Sequence, residues 1–514
     1  MSKVARSTIS LMIATIVAKI LGFIRELVLA SSYGATMYSD AYITAITIPS
    51  VILIAVGTTL ATVLIPMYME VNNRLGEKES LKYINNVLNI IIIISTILST
   101  LGIIFAKDLV NIFAVGFKGD ILEVTINFTR IAMIGILFTS LSYIMTAYLQ
   151  IKENYFIPGI ASLPKNILII ISIILSIKYN PYIMMWGTLI AMSLEFIFQF
   201  PYAHKKGYKY KFFINLKDKY LKKTAWLIGP VLIGVAVNQV NTMIDRTLAS
   251  TLVEGSISAL NYANKLNGFV MALFISSVAA VIYPILSKLS SENNKDEFIK
   301  SVVQSINSVI LLVIPISVGA IVLASPIVKI LFQRGAFDVR ATRMTSIALI
   351  MYSLGMVAFG LRDILGKVFY ALQDTKTPMV NGVLAMIMNI VLNIIFVKYL
   401  KLAGLALATS ISAIICIFLL FYRLKKKVGY FGQDKIIKTT FKTIIASICM
   451  GIIAYCIYSL LINILGTGSL KEVIVLFGTV IISAITYGVL LIILKVEEIN
   501  MVANIAKEKF KKVA

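Results

Sequence analysis

The sequence predicts an all-α polytopic membrane protein with 14 transmembrane helices, built as two six-helix lobes related by a parallel repeat plus two C-terminal helices. Three observations carry that prediction. The 514 residues are 59% hydrophobic and 14% charged, with a mean hydropathy of +0.91, a balance outside the range of soluble domains. Apolar runs long enough to cross a bilayer core of roughly 30 Å, which takes about 20 helical residues, recur along the chain. Two stretches also repeat, at offsets that nearly agree. Ala61–Glu70, with Pro66, resembles Ala279–Lys288, with Pro284, and Tyr148-Leu149-Gln150 before Pro158 resembles Ala371-Leu372-Gln373 before Pro378.

Taken in order, the expected spans lie near residues 7–33, 40–68, 83–106, 120–150, 157–177, 181–201, 224–250, 257–287, 300–323, 341–372, 378–399, 402–423, 438–463 and 471–495. Lys3 and Arg6 resemble the start of a signal peptide, but the following run is too long and too charged for one, so the first span is expected in the mature protein. Spans 1–6 form an N-terminal lobe (1–203), joined by a basic cytoplasmic linker (204–223) to a C-terminal lobe of spans 7–12 (224–425). Spans 13 and 14 follow (426–495), then a basic cytoplasmic tail (496–514).

An even number of spans puts both termini on one side. That side carries Lys3, Arg6, Arg74, Lys78, Lys82, Lys152, Lys288 and Lys295, and is the cytoplasmic one by the excess of Lys and Arg. The net charge of +24 is concentrated there: residues 204–223 hold eight lysines, and Arg423, Lys425, Lys426, Lys427, Lys435 and Lys438 form a second block. Anionic membrane lipids are the expected partners of these blocks, nucleic acid is not, and the chain is expected to be a monomer.

Cys416, Cys449 and Cys456 all lie in apolar segments, which argues against a disulfide framework or thiolate metal site. His204 is the single histidine. No carboxylate cluster or metal motif marks a loop beside the membrane, so no enzyme, no catalytic residue and no cofactor are expected.

Function is carried by charge inside the spans. Lys19, Arg25 and Glu26 lie mid-way along the first one, where a Lys or Arg costs about 2.5–3.5 kcal/mol unless it faces protein or water. Lys19 and Glu26 share a helix face, Gly22 between them thins the wall, and Arg25 lies on the neighbouring face. A polar cavity between helices follows, or else a Lys/Glu pair that fixes packing. Span 7 adds Asn238, Asn241, Asp245 and Arg246, and span 8 adds Asn261, Asn264, Lys265 and Asn267. Span 10 carries Arg362, Asp363 and Lys367, span 11 Asn389 and Asn393, and span 12 Thr409.

Lys19, Arg25, Lys265 and Lys367 form a cationic surplus suited to an anionic cargo such as phosphate. Asp245, Asn389, Asn393 and Thr409 offer hard oxygens suited to Na+ as a coupling ion. Structural alternatives stand beside both: asparagines as interhelical hydrogen-bond glue, Asp363 and Lys367 neutralising each other one helical turn apart, and Lys165 with Glu195 as a structural pair.

The chain resembles the MurJ/MviN family of lipid II flippases, within the multidrug/oligosaccharidyl-lipid/polysaccharide exporter superfamily. The blocks that carry the resemblance are Lys19–Glu26, Ser39-Asp40-Ala41-Tyr42 with Ile48-Pro49, Gly229-Pro230, Ile244–Ser250, Asn261–Leu266, Leu331–Phe337 and Phe369–Pro378. The resemblance implies that lipid II, an undecaprenyl-pyrophosphate-linked disaccharide-pentapeptide, is moved from the inner to the outer leaflet of a bacterial cytoplasmic membrane by alternating access. It implies pyrophosphate binding by Lys19, Arg25, Lys265 and Lys367, with Glu26 balancing Arg25, and Gly22, Asp40 and Asn264 shaping the cavity. It also implies a sodium site of Asp245, Asn389, Asn393, the Leu405 carbonyl and Thr409, and a lipid-tail groove at spans 13 and 14.

Departures from the family pattern are visible. Lysine stands at 19, 265 and 367 where arginine is typical, which replaces bidentate phosphate contact by a point charge. Leu53 and Thr58 stand where relatives carry Arg and Glu, and Asn393 stands for an aspartate. The alternatives are export of another polyprenyl-pyrophosphate-linked glycan, or cation-coupled multidrug export; the latter calls for an acidic or aromatic cavity.

Overall fold

The computed structural model describes residues 3–292, 294–466 and 468–498, with side chains described except at 3–13, 52, 54–56, 58–61, 229–238 and 469. The side chains of Lys3, Arg6, Thr58, Gly229-Pro230 and Asn238 and the tail from residue 499 therefore lie outside the described residues. Helices follow one another without a strand among the described residues. The first half comprises α1 (Lys3–Tyr33), α2 (Met37–Leu75), α3 (Glu77–Ile104), α4 (Ala106–Phe113), α5 (Asp120–Ile151), α6 (Phe156–Ile160), α7 (Ser162–Lys178), α8 (Tyr182–Lys205) and α9 (Lys219–Ser250). Then come α10 (Ser256–Val270), a π-helical turn (Met271–Ile275), α11 (Ser276–Ser291), α12 (Lys295–Val322), α13 (Ala324–Phe332), α14 (Val339–Leu354), α15 (Met356–Ala371), α16 (Lys376–Val428), α17 (Gln433–Leu465) and α18 (Ser469–Ile493).

Every expected span falls on helix. Among the described residues nine helices are long and apolar enough to cross a membrane, or ten if α14 and α15, bent by 44°, make one span, so the count of fourteen rests on the sequence. α16, at 53 residues, contains two expected spans divided at Lys401, whose φ of 50° and ψ of −128° interrupt the helix.

Two compact units are present: Met1–Ser258 with Arg334–Phe337, and Ala259–Gln333 with Asp338–Ala514. In the first, Leu64, Tyr68, Ile84, Ile144 and Tyr148 pack α2, α3 and α5 together. In the second, Leu286, Ile306, Ile364, Phe369 and Leu420 do the same for α11, α12, α15 and α16. Lipid tails are as apolar as these side chains, so such contacts hold the helices by close packing more than by escape from water.

The repeat is built into the helix boundaries. α3 and α12 start at Glu77 and Lys295 and break at Phe105 and Leu323, so both ends stand at the same offset as Pro66 and Pro284. The breaking dihedrals also agree, at −93°, 22° and −102°, 19°. The turn after α5 corrects the second sequence match. Glu153 and Gln373 both take φ of 56°. The next residues, Asn154 and Asp374, each use Oδ1 to accept the amide N–H three positions on, from Ile157 at 3.3 Å and Thr377 at 2.9 Å. Glu153, Asn154 and Pro158 thus match Gln373, Asp374 and Pro378 at one common offset, and pairing Gln150 with Gln373 is out of register by almost a helical turn. The shared Leu-Gln letters are incidental; the left-handed position after the helix sets the register.

Candidate functional site

The polar stretch of α1 is held from two sides. Arg25 Nη2 donates to Glu26 Oε1 at 2.7 Å, and Nη1 donates to Asn166 Oδ1 on α7 at 3.1 Å. Asn166 is itself fixed, its Nδ2 donating to the Ser162 carbonyl at 2.9 Å. The Arg25 and Glu26 side chains are 26% and 7% exposed, so this is a sheltered charge-assisted pair. Gly22 faces the same amide: a Cβ there would lie 4.0 Å from Asn166 Nδ2.

The ion pair of Glu26 is thus with its neighbour Arg25, and Lys19 is exposed on α1 with no ion partner among the described residues. Lys165 and Glu195 form their pair across α7 and α8 at 2.8 Å. Asn166 is the residue that sequence reasoning missed, since a single asparagine on an apolar helix carries no pattern.

Asp40, 2% exposed, caps a helix start. Its carboxylate accepts the N–H of Gly255 at 2.8 Å and of Ser258 at 2.7 Å, and also the Ser258 hydroxyl. These are the donors that open α10, where a carboxylate meets both orphan amides and the positive end of the helix dipole. Glu254 does the same for α2, accepting the Met37 N–H at 2.7 Å. Asp40 and Glu254, with Lys118 and Asp120, line a cavity of roughly 250 Å³ in the first unit. Asp245 is half-buried on α9.

In the second unit the Lys367 ammonium lies 5.7 Å from the Tyr283 ring and 5.9 Å from the Tyr370 ring. Aromatic faces stabilise a cation without cancelling its charge. Asp363 is exposed, and no Asp363–Lys367 ion pair forms among the described residues. Lys265 and Asn264 are exposed on α10.

The candidate sodium ligands of this unit form a hydrogen-bond chain. Asn393 Nδ2 donates to Asn389 Oδ1 at 2.9 Å, Asn389 Nδ2 to Thr409 Oγ1 at 3.3 Å, and Thr409 Oγ1 to the Leu405 carbonyl at 3.1 Å. The chain ties the two halves of α16 across the break at Lys401, and each oxygen named in it already accepts a hydrogen bond. With Asn393 an amide, nothing in this set is charged. No group of three or more His, Cys, Asp or Glu able to hold a metal occurs among the described residues.

A family model described as "Lipid II flippase MurJ" matches residues 29–476. The chain belongs to this family. Membership makes it a multi-pass flippase of the bacterial inner membrane. It is 29% identical to the "Probable lipid II flippase MurJ" of Buchnera aphidicola subsp. Baizongia pistaciae over 90% of this chain and 91% of that one. A solved lipid II flippase MurJ in an inward closed conformation matches with a TM-score of 0.81 at 27% identity, over 94% of this chain and 99% of that one. An inward-facing multidrug resistance MATE transporter of the MOP superfamily matches at 0.70 and 14% identity, over 81% of this chain and 96% of that one, which shows the shared fold alone.

Proposed function

We propose that this flippase carries lipid II from the inner to the outer leaflet by alternating access, breaking no bond, with its lysine-rich blocks and both termini on the cytoplasmic side. Arg25 is the observation that supports the reading best: a guanidinium in the second half of α1, sheltered and held in one orientation by Glu26 and Asn166. Because Glu26 balances Arg25, the net positive charge of this stretch is Lys19. Lys265 and Lys367 add point charges from the second half, and Lys367 lies against two tyrosine rings. The protein acts as a monomer, and anionic phospholipids surround its basic blocks.

An interior-negative potential favours outward passage of an anionic headgroup by about 2.3 kcal/mol per charge per 100 mV, so the potential supplies the drive. Sodium coupling is a second reading, favoured by the convergence of Asn389, Leu405 and Thr409. In it the ion displaces the hydrogen-bond chain, and Asp245 is the only charge in the set. Replacing Na+ by K+ at constant potential decides between them: an unchanged rate leaves the chain of hydrogen bonds structural, and a stopped rate makes it an ion site.

Binding tests the cargo. Lipid II should bind wild-type protein in nanodiscs and be lost in Lys19→Ala/Arg25→Ala, whereas a matched lipid lacking the pyrophosphate should bind neither. Equal binding of both lipids, unaffected by the substitutions, would make the α1 cations structural.

A further inference from the structure

We propose that residues 208–217 form a rigid interfacial anchor that seats the first unit on anionic phospholipid headgroups, an inference that rests on the cytoplasmic placement of the lysine blocks proposed above. The segment is irregular, yet its backbone is held along its length by three buried asparagines of α3. Asn85 Nδ2 donates to the Lys209 carbonyl at 2.9 Å, Asn89 Nδ2 to those of Lys211 and Phe213 at 3.2 Å each, and Asn86 Nδ2 to that of Asn215 at 3.0 Å. Asn86 Oδ1 accepts the Asn215 N–H at 2.8 Å. The other two amide oxygens accept the hydroxyls of Tyr208 and Tyr210, each at 2.9 Å. Lys82 closes the row, 5.0 Å from the Phe213 ring.

Every second carbonyl from 209 to 215 is therefore satisfied by protein. Irregular backbone is tolerated beside a bilayer where protein or water meets its polar groups. The opposite face of the strap is built for such an edge. Phe212 is 77% exposed and Leu216 67%, and Trp226, early in α9, is 76% exposed. Around them Lys209, Lys211 and Lys217 are exposed. The nearby carboxylates are engaged: Asp218 accepts the Tyr220 and Leu221 amides at the start of α9, Glu79 pairs with Lys82 at 3.5 Å, and Glu70 pairs with Lys223 at 2.6 Å. Apolar and aromatic tips among lysines are the chemistry of an anionic membrane surface. Lysines alternating with aromatics also suit single-stranded nucleic acid; Tyr208 is fully buried but Tyr210 is 49% exposed, so competition by an oligonucleotide is part of the test.

The test uses full-length protein in neutral detergent, with bound lipid counted by native mass spectrometry during titration with phosphatidylglycerol or phosphatidylcholine. Phosphatidylglycerol should bind preferentially, and Lys209→Gln/Lys211→Gln/Lys217→Gln should weaken it by about tenfold or more, since each lysine near an anionic surface contributes severalfold. Asn86→Ala/Asn89→Ala keeps the charge but frees the strap; it should weaken binding less and speed amide exchange at 209–215. Lipid II binding should survive the triple Gln change, and phosphatidylglycerol binding should survive Lys19→Ala/Arg25→Ala, so failure of the anchor and failure of the cargo assignment are separable. Equal phosphatidylglycerol affinity in wild type and the triple variant would overturn the proposal. So would loss of lipid II alone, or displacement of phosphatidylglycerol by a single-stranded oligonucleotide at physiological salt.

Discussion

α3 and α12 are the same helix in the two halves of the chain, and what separates them is what each one holds. Ser99 of α3 donates to the Met133 carbonyl of α5 at 2.7 Å, and Ser317, at the matching place in α12, donates to the Ser353 carbonyl of α14. Asn89 and Asn307 likewise stand at matching places, buried at 2% and 1%. Asn89 binds the connector between the halves, through Lys211, Phe213 and Tyr210. Asn307 binds Thr439 of α17 at 3.4 Å, and also Glu498. The duplicated scaffold keeps a buried amide at one position, and each half uses it to attach the chain that arrives there. A buried asparagine on a membrane helix is thus as readily an attachment point as part of a transport path.

The largest effect that sharpens this comparison lies in two matched loops. A Cβ on Gly335, which has φ of +59°, would meet the Ser31 carbonyl oxygen at 2.2 Å, and one on Gly116 would meet that of Ser250 at 2.2 Å. Gly335→Ala should lower stability by about 1–3 kcal/mol, and more than Gly116→Ala, because only it also strains the backbone. Thermal denaturation of the purified protein reads both; an unchanged midpoint for Gly335→Ala would break the equivalence of the loops.

Asn89→Ala and Asn307→Ala come next, each leaving buried polar groups unmet at a cost of about 1–3 kcal/mol. They should loosen different places: limited proteolysis should cut Asn89→Ala within 208–217, while in Asn307→Ala hydrogen exchange should rise at the start of α17. Loosening of one and the same segment in both would contradict the attachment roles.

The smallest effect is a pH difference between the turns. Burial raises the Asp374 carboxyl, but Lys427 at 2.8 Å and the Thr377 amide and hydroxyl outweigh it, bringing it from 3.8 down to about 2. A depressed carboxylate stabilises the fold above its unfolded value, so this contribution is present above pH 3.8 and is lost as pH falls toward about 2. Asp374→Asn should remove that acid sensitivity; the first-half turn, with neutral Asn154, should lack it. An identical acid profile in Asp374→Asn would show that the pair with Lys427 is immaterial.

The helices were legible in the sequence because an apolar run declares a span without naming a neighbour, and the repeat offset was legible because Pro66 and Pro284 mark equal places. Asn389 and Asn393 were legible through helical spacing, and the polar stretch of α1 through its cost in a membrane. Among the partners, the Lys165–Glu195 pair was legible from the sequence, and others were not. Asn166 meets Arg25 from a distant part of the chain, and Asn89 of α3 meets backbone carbonyls of the connector beyond α8, contacts with no pattern in the letters. A pair of Lys367 with Asp363 was the structural alternative that spacing offered, whereas Lys367 lies against the tyrosine rings of α11 and α15. The break at Lys401 falls between the expected spans 378–399 and 402–423, so its place was legible; its form was not, since a lysine at positive φ is disfavoured locally and is imposed by packing.

The assignment of the α1 cations to the cargo is tested most directly by lipid II in the outer leaflet of cells or proteoliposomes supplied with Lys19→Ala, or Lys19→Ala/Arg25→Ala, as the sole flippase. Lys19 holds no ion pair among the described residues, so its removal should leave the melting temperature of the protein unchanged. The account predicts folded protein with outer-leaflet lipid II reduced in the single variant and abolished in the double. Wild-type flipping in the double variant would contradict it and leave Arg25, Glu26 and Asn166 as a packing device.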